Sequence, residues 1–517
     1  MRPSRASQLM VALVACVAGN ALLAPRAAHG QAVLPAGFVD ELVADSLAFP
    51  VGMAFLPDGR LLVIEQRSAR ILLVRPGPSA VADSVGFVSG VTSLDTERGL
   101  LGVAVDPGWP LRPYAYFQYT HSTERIRISR FTVTGTLSNA SGLLSIDPAS
   151  RYDVISDLPD NTPYHNSGTL RFGPDGMLYS SIGEDNNPTA AQDTASLRGM
   201  ILRLDVSRLP SGAGSATHDA ITPPDNPYAG VGGRNSRLVW SYGLRNPFRF
   251  CIDAWTGHVM IGEVGNEVSD ELDEITAAPQ NFGWPRYEAN AIYDPSAPLN
   301  GPATAPIMPL AHATHPFAVI GGVYYHRPAS AQRGFPPDYE GDYLFSEYFS
   351  GAMWRLNNDG AWKLADPAPG QPSTDHWAQG LVSVADYAVG PDGALWYCKQ
   401  STAPHAGQIR RIVGNSTAAV PGAEASGVSF ARPFPRPSSG AVELRWTLPA
   451  PARVVLAIHD VTGRRLCTLL ASELGPGSFH ATWNGETTDG RRVDPGLYFA
   501  RLRVGDRTYQ HRLAIVR

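Results

Sequence analysis

The chain has 517 residues, more than one ordinary core holds, so two domains behind a targeting segment are expected. With 51 glycines, 44 prolines and 17% charged residues, the composition reads as many short strands and turns, not as long helices or disorder. The net charge of -5 contains no basic stripe, and of 42 basic residues only Lys363 and Lys399 are lysines, which argues against nucleic acid as a partner.

At the N-terminus, Arg2 and Arg5 precede a mostly apolar run from Met10 to Ala24. Ala28-His29-Gly30 then offers small residues to a signal peptidase, so residues 1–30 read as a signal peptide cut before Gln31. Leu13-Val14-Ala15-Cys16 fits a lipoprotein box as the minor alternative. Both readings place the protein outside the cytoplasm, in a periplasm, in the medium or on the cell surface. No later stretch is long enough to cross a bilayer as a helix.

The body is a run of short apolar strands. Residues 54–65, 170–182 and 387–399 share one form: a strand, a Pro-Asp-Gly turn and a second strand. Proline presets φ, aspartate bonds its own backbone and glycine takes the positive φ. Residues 104–119 and 251–263 are looser versions. Repeated hairpins over residues 31–413 predict an all-β radial repeat, a β-propeller, with insertions such as 207–237 building its binding face. Residues 414–427 are small and polar and read as a linker. Beyond it, residues 428–517 alternate apolar and polar positions between turns, which predicts a small antiparallel sandwich of Ig-like size.

Chemistry is concentrated in two loops. His165 stands on a polar loop before a strand, and Arg245-Asn246 on another turn between aromatic-rich strands. A histidine base near a cation and an amide, on loops of a rigid scaffold, points to redox or hydrolytic work on a small polar molecule. Serine hydrolysis lacks its nucleophile elbow. Glu184, Asp185 and Asn186 follow a strand at the expected mouth, with a calcium or sugar role open. The acidic run from Glu267 to Glu274 is expected to face solvent or to pair with arginines. Cys251 and Cys398 sit in strand-like runs and read as buried thiols, although export would permit a bridge between them; Cys467 lies in the C-terminal region.

The ordered motifs GLLGVAVDPGW, HNSGTLRFGPDGMLY, LRGMILRLD, PPDNPYAG, WSYGLRNPFRF, GEVGN and NFGWPRYE resemble the glucose/sorbosone dehydrogenase family over about residues 36 to 413. The resemblance implies a six-bladed propeller that oxidises a small sugar with pyrroloquinoline quinone (PQQ) and calcium, passing electrons to an unknown acceptor. It makes His165 the general base, Arg245 and Asn246 the quinone-oxygen contacts, Gly265 and Asn266 the calcium-binding carbonyls, and Glu97 and Asp386 further cofactor contacts. Glu97-Arg98 read alone is equally a surface ion pair. Where quinoprotein members bind the three PQQ carboxylates with a lysine and two arginines, this chain has Phe349, Ser383 and Ala385, and Tyr164 replaces an acidic neighbour of the base. These departures are closer to hedgehog-interacting-protein-like propellers, so a non-catalytic propeller that binds a glycan or protein at the cell surface is the alternative. Residues 428–517 resemble the FlgD-type Ig-like module, which implies contact with a secretion or surface-sorting machinery.

Overall fold

The computed structural model describes residues 32–414, apart from 76–81, 94–96, 313–315, 329–330 and 359, and most of 428–516. The expected signal peptide, its cleavage site, Cys16 and nearly all of the linker lie outside the described residues.

The Pro-Asp-Gly turns form as their chemistry requires. Asp58, Asp175 and Asp392 each accept the backbone N–H two residues on, from Arg60 (3.1 Å), Met177 (3.0 Å) and Ala394 (3.2 Å). Gly59, Gly176 and Gly393 follow at φ of 90°, 76° and 82°, where other residues are strained. Each turn joins the first and second strands of a sheet: Pro50–Phe55 to Leu61–Glu65, Leu170–Phe172 to Leu178–Ile182, and Val384–Val389 to Leu395–Lys399.

Residues 38–414 contain six such sheets, five of four strands and one of five. Their innermost strands are Pro50–Phe55, Leu100–Val105, Leu170–Phe172, Arg249–Ile252, Val319–Tyr324 and Val384–Val389. Each packs on the next and the last packs back on the first, so the sheets are the blades of a closed six-bladed propeller, numbered here 1 to 6 in that order. Every residue of the second strands Leu61–Glu65, Leu178–Ile182, Val259–Glu263 and Tyr343–Glu347 is buried, because a blade is covered on both faces by its neighbours. The ring closes on itself: the outer strand of blade 6 is Phe38–Leu47, paired antiparallel with Gly407–Gly414 from Phe38 opposite Gly414 to Leu47 opposite Gly407.

Arg249 occupies the hub. It is 2% exposed and donates to Ala385 O (2.7 Å), Val51 O (2.5 Å), Leu101 O (3.4 Å) and Thr169 Oγ1 (3.2 Å), so one guanidinium on blade 4 ties in blades 6, 1, 2 and 3. Asp386 belongs to the same hub. Its carboxylate accepts Met53 N–H (2.9 Å) and Arg171 Nη2 (2.6 Å) and lies 3.8 Å from Arg249 Nε. The expected cofactor contact at Asp386 is thus a strut between blades, and Ala385 beside it is fully buried.

A further expectation is corrected, and the reading of the two propeller cysteines as buried thiols holds. The acidic run faces solvent only at its start, at Glu267, and then turns inward: Ser269–Ile275 is the third strand of blade 4, with Asp270 and Asp273 at 0% exposure and Glu271 at 7%. Cys251 and Cys398 are free buried thiols, as is Cys467; burial pushes the Cys251 thiol up to about 12.

His326 joins blades 4 and 5, its Nε2 facing Asp253 (2.7 Å) and its Nδ1 Glu340 (3.1 Å). Burial lowers its pKa, but the two carboxylates outweigh burial and the net shift is upward from 6.5. A folded-state pKa above the unfolded one gives stability that is complete below about pH 6.5 and is lost as pH rises through the raised value. Thermal melts of His326→Gln and the parent should therefore differ most in mild acid and converge as the solution becomes alkaline.

Residues 428–516 form two sheets, one of Ser429–Phe430, Val442–Leu448 and Gly477–Trp483, the other of Arg465–Leu474, Ala452–Asp460, Gly496–Val504 and Arg507–Ile515. Alternate residues Val442, Leu444, Trp446 and Leu448 of the first meet Val454, Leu456, Ile458 and Leu502 of the second in one core. This is the antiparallel sandwich that the alternation predicts.

Candidate active site

Antiparallel pairing brings the start of each blade's first strand beside the end of its second, as in Pro50 opposite Glu65 and Val319 opposite Glu347. At this end a polar side chain caps the backbone entering the inner strand. Glu65 accepts Ala48 N–H (2.7 Å), Thr120 accepts Gly99 N–H (2.9 Å), Glu347 accepts Ala318 N–H (3.0 Å), and Glu263 accepts Arg245 N–H.

Blade 3 departs from this pattern. The N–H of His165 goes to Glu97 of the neighbouring blade (2.6 Å), and Glu184, in the capping position, bonds Nδ1 of the His165 ring. A carboxylate only accepts, so in the neutral imidazole Nδ1 carries the proton and Nε2 keeps its lone pair. Glu184 is 1% exposed and its Oε2 has no described partner, while the His165 side chain retains 13% exposure. The loop is bent to reach this arrangement: His165 and Ser167 sit at φ of 58° and 52°. Gly183 makes room for it, since a Cβ there would lie 2.0 Å from His165 O.

Blade 4 supplies the cation and the amide. Arg245 carries Nη1 to Val264 O (3.0 Å) and Nη2 to Asn266 Oδ1 (3.0 Å), with its Cζ 5.6 Å from the Trp284 ring centroid. Three of its five N–H hydrogens remain uncommitted in these bonds. Arg245 O accepts Glu184 N–H (2.8 Å), and Asn246 Oδ1 accepts the Ser167 hydroxyl (2.9 Å). His165, Glu184, Arg245 and Asn246 therefore form one bonded group across blades 3 and 4. Glu97 is part of it through the His165 backbone, and Arg98 pairs with Asp160 (2.9 Å). Asp185 is a loop clamp that accepts Asn161 and Thr162 N–H and pairs with Arg198 (3.2 Å).

Gly265 and Asn266 lie on the loop between the second and third strands of blade 4. Glu288 Oε1 accepts four successive N–H groups, from Asn266 (2.6 Å) to Ser269 (3.3 Å), and Asp270 accepts that of Gly265 (2.9 Å). With the donors turned inward, the Gly265 and Asn266 carbonyls receive no hydrogen bond from the described residues and suit a hard cation. A second oxygen set lies nearby: Glu263, Glu271 and Asp273 place ligand atoms within 4.8 Å of one another, all buried, and both Asp273 oxygens lack a donor among the described residues. Burial first, and mutual repulsion second, push these carboxyls well above the ordinary range. Like charges so placed need shared protons or a divalent cation.

The opposite lip is less charged. Phe349 packs edge-on against Tyr348 at 5.1 Å, and Ser383 hydrogen-bonds the Tyr348 side chain. A neutral belt runs along it, from Tyr348 hydroxyl to Gln400 (2.8 Å), Gln400 to Gln66 (3.4 Å) and Gln66 to the carbonyls of Glu97 and Arg98 (3.2 Å each).

The chain is 31% identical over 285 residues to the uncharacterized protein slr1608 of Synechocystis, covering 51% of this chain and 62% of that protein. It is 27% identical over 254 residues to the aldose sugar dehydrogenase YliI of Escherichia coli, covering 48% and 62%. The matched segment thus spans less than two thirds of either relative. Among solved structures, a putative oxidoreductase (glucose dehydrogenase) of Thermus thermophilus superposes with a TM-score of 0.55 at 27% identity, over 73% of this chain and 100% of that one. A family model for glucose/sorbosone dehydrogenases matches residues 47–409, and with the propeller and its mouth arranged as above, the chain belongs to that family.

Proposed function

We propose that the protein is an exported, PQQ-dependent sugar dehydrogenase with His165 as its general base. The observation that carries this reading is Glu184, a buried carboxylate that holds Nδ1 of His165 and leaves Nε2 of the part-exposed ring as the proton acceptor. An imidazole of that tautomer suits removal of a hydroxyl proton from a sugar near neutral pH. PQQ, when bound, supplies the two-electron acceptor for the hydride leaving the same carbon. Arg245 and Asn246 would hold its quinone oxygens, and the Gly265 and Asn266 carbonyls a calcium ion beside it. Because Arg245 is fixed by Val264 and Asn266 beforehand, it meets developing negative charge without reorganising.

The purified chain with PQQ and calcium is expected to reduce an artificial dye when given aldoses, and absence of dye reduction across an aldose panel would refute the reading. Calcium is also expected to raise the melting temperature by about 3 °C. Asp273→Asn should remove part of that gain, as scanning fluorimetry with and without chelator will show.

A second reading, a non-catalytic propeller binding a glycan or protein at the cell surface, draws on Phe349 and Ser383 in place of cations. It predicts saccharide binding with no quinone binding in an absorbance titration. In either case the C-terminal sandwich serves as an accessory module for sorting or display, and its deletion should leave mouth chemistry intact while changing where the protein accumulates.

A further inference from the structure

We propose that Arg67, from blade 1, is the carboxylate-binding residue of the mouth. It lies between the second and third strands of blade 1, directly after Gln66 of the neutral belt, and its side chain is exposed. Its guanidinium carbon sits 4.1 Å from the centroid of the Phe49 ring, a residue held at φ 62° where the chain enters the inner strand of blade 1. Stacking on that ring fixes the plane of the guanidinium and leaves its edge, which carries the donors, open.

The place of Arg67 follows from the belt beside it. Gln66, directly before it, bonds Gln400 of blade 6 (3.4 Å), and Gln400 bonds the hydroxyl of Tyr348 of blade 5 (2.8 Å). The loop that carries Arg67 is thus joined over the end of blade 6 to the lip formed by blade 5. Tyr348 in turn touches Phe349 and bonds Ser383, two of the positions where the family resemblance placed cations. Arg67 thus brings positive charge from a different blade to the lip that lost it.

Arg67 is also available. Arg98 is paired with Asp160 and Arg198 with Asp185, whereas no carboxylate among the described residues pairs with Arg67. A planar fork with a stacked face and free donors matches a carboxylate in two parallel hydrogen bonds. That carboxylate comes either from the quinone, which carries three, or from the substrate as a uronic acid. The first source rests on the proposed function; the second does not.

The test uses the full chain and Arg67→Ala, with thermal melts to show that the exposed substitution leaves the fold intact. PQQ and its trimethyl ester are titrated by quenching of tryptophan fluorescence. Loss of one charge-assisted contact is expected to weaken PQQ roughly tenfold to a hundredfold and to leave the ester unchanged. Arg67→Lys should recover part of the loss. In parallel, glucuronate and glucose are compared by calorimetry: a glucuronate preference that vanishes in Arg67→Ala assigns the carboxylate to the substrate. Equal PQQ affinity in parent and variant, together with no glucuronate preference in the parent, overturns the proposal. If the parent binds no PQQ at all, the quinone reading falls, and the glucuronate arm still decides the role of Arg67.

Discussion

His165→Ala is expected to lower sugar oxidation by about two to four orders of magnitude while leaving the fold and quinone affinity close to those of the parent. The effect belongs to kcat, because the ring acts on a proton in flight more than on the resting sugar. Glu184→Gln provides the sharper control. An amide in that position can present its NH2 to Nδ1 and so stabilise the tautomer in which Nε2 carries the proton, the wrong one for a base. Glu184→Gln should therefore lose about tenfold to a hundredfold in kcat with KM little changed, whereas a residue that only filled space would tolerate this near-isosteric exchange. Steady-state dye reduction on the two variants, with PQQ saturation verified by titration, measures both. Full activity in His165→Ala would remove the base from its assigned atom.

Arg249→Met should have the largest effect on stability. The guanidinium is almost wholly buried and donates to carbonyls or hydroxyls of four other blades. Methionine fills much of the volume but satisfies none of those acceptors, and it leaves Asp386 with Arg171 as its remaining cation. Breaking such a buried network costs about 3–5 kcal/mol, a large share of the stability of an ordinary domain. Urea denaturation followed by tryptophan fluorescence is expected to show a lower midpoint for Arg249→Met and a much smaller change for Arg67→Ala.

Much of the fold is legible in the sequence because turn chemistry is local. Pro-Asp-Gly determines its own backbone, so three hairpins can be located from residues alone, and the radial repeat follows from their recurrence. His165, Arg245 and Asn246 stand out as candidates for a similar reason, as polar groups on loops of an apolar scaffold. The blade 4 acids mislead because a run of carboxylates normally indicates a wet surface. Here strand alternation carries Asp273 and Glu271 into a layer covered on both sides, and long-range packing, not local composition, decides their burial. Glu184 reads in the sequence only as a polar residue after a strand. A signal for it is nonetheless present: glutamate recurs at the end of the second strand, at Glu65, Glu184, Glu263 and Glu347, and aligning those hairpins singles out blade 3 as the copy in which a capping residue faces an imidazole. The roles of Asp386 and Arg67 are hidden for the opposite reason, since one is claimed by the hub and the other sits beside a belt that joins three blades.

The pairing of Phe38–Leu47 with Gly407–Gly414 has a consequence for biogenesis. The first strand synthesised waits for the last strand of the propeller, so ring closure is a late, long-range event. A nascent chain cannot complete the ring while the closing strand is still being made. The joint is sealed by main-chain hydrogen bonds between segments far apart in sequence.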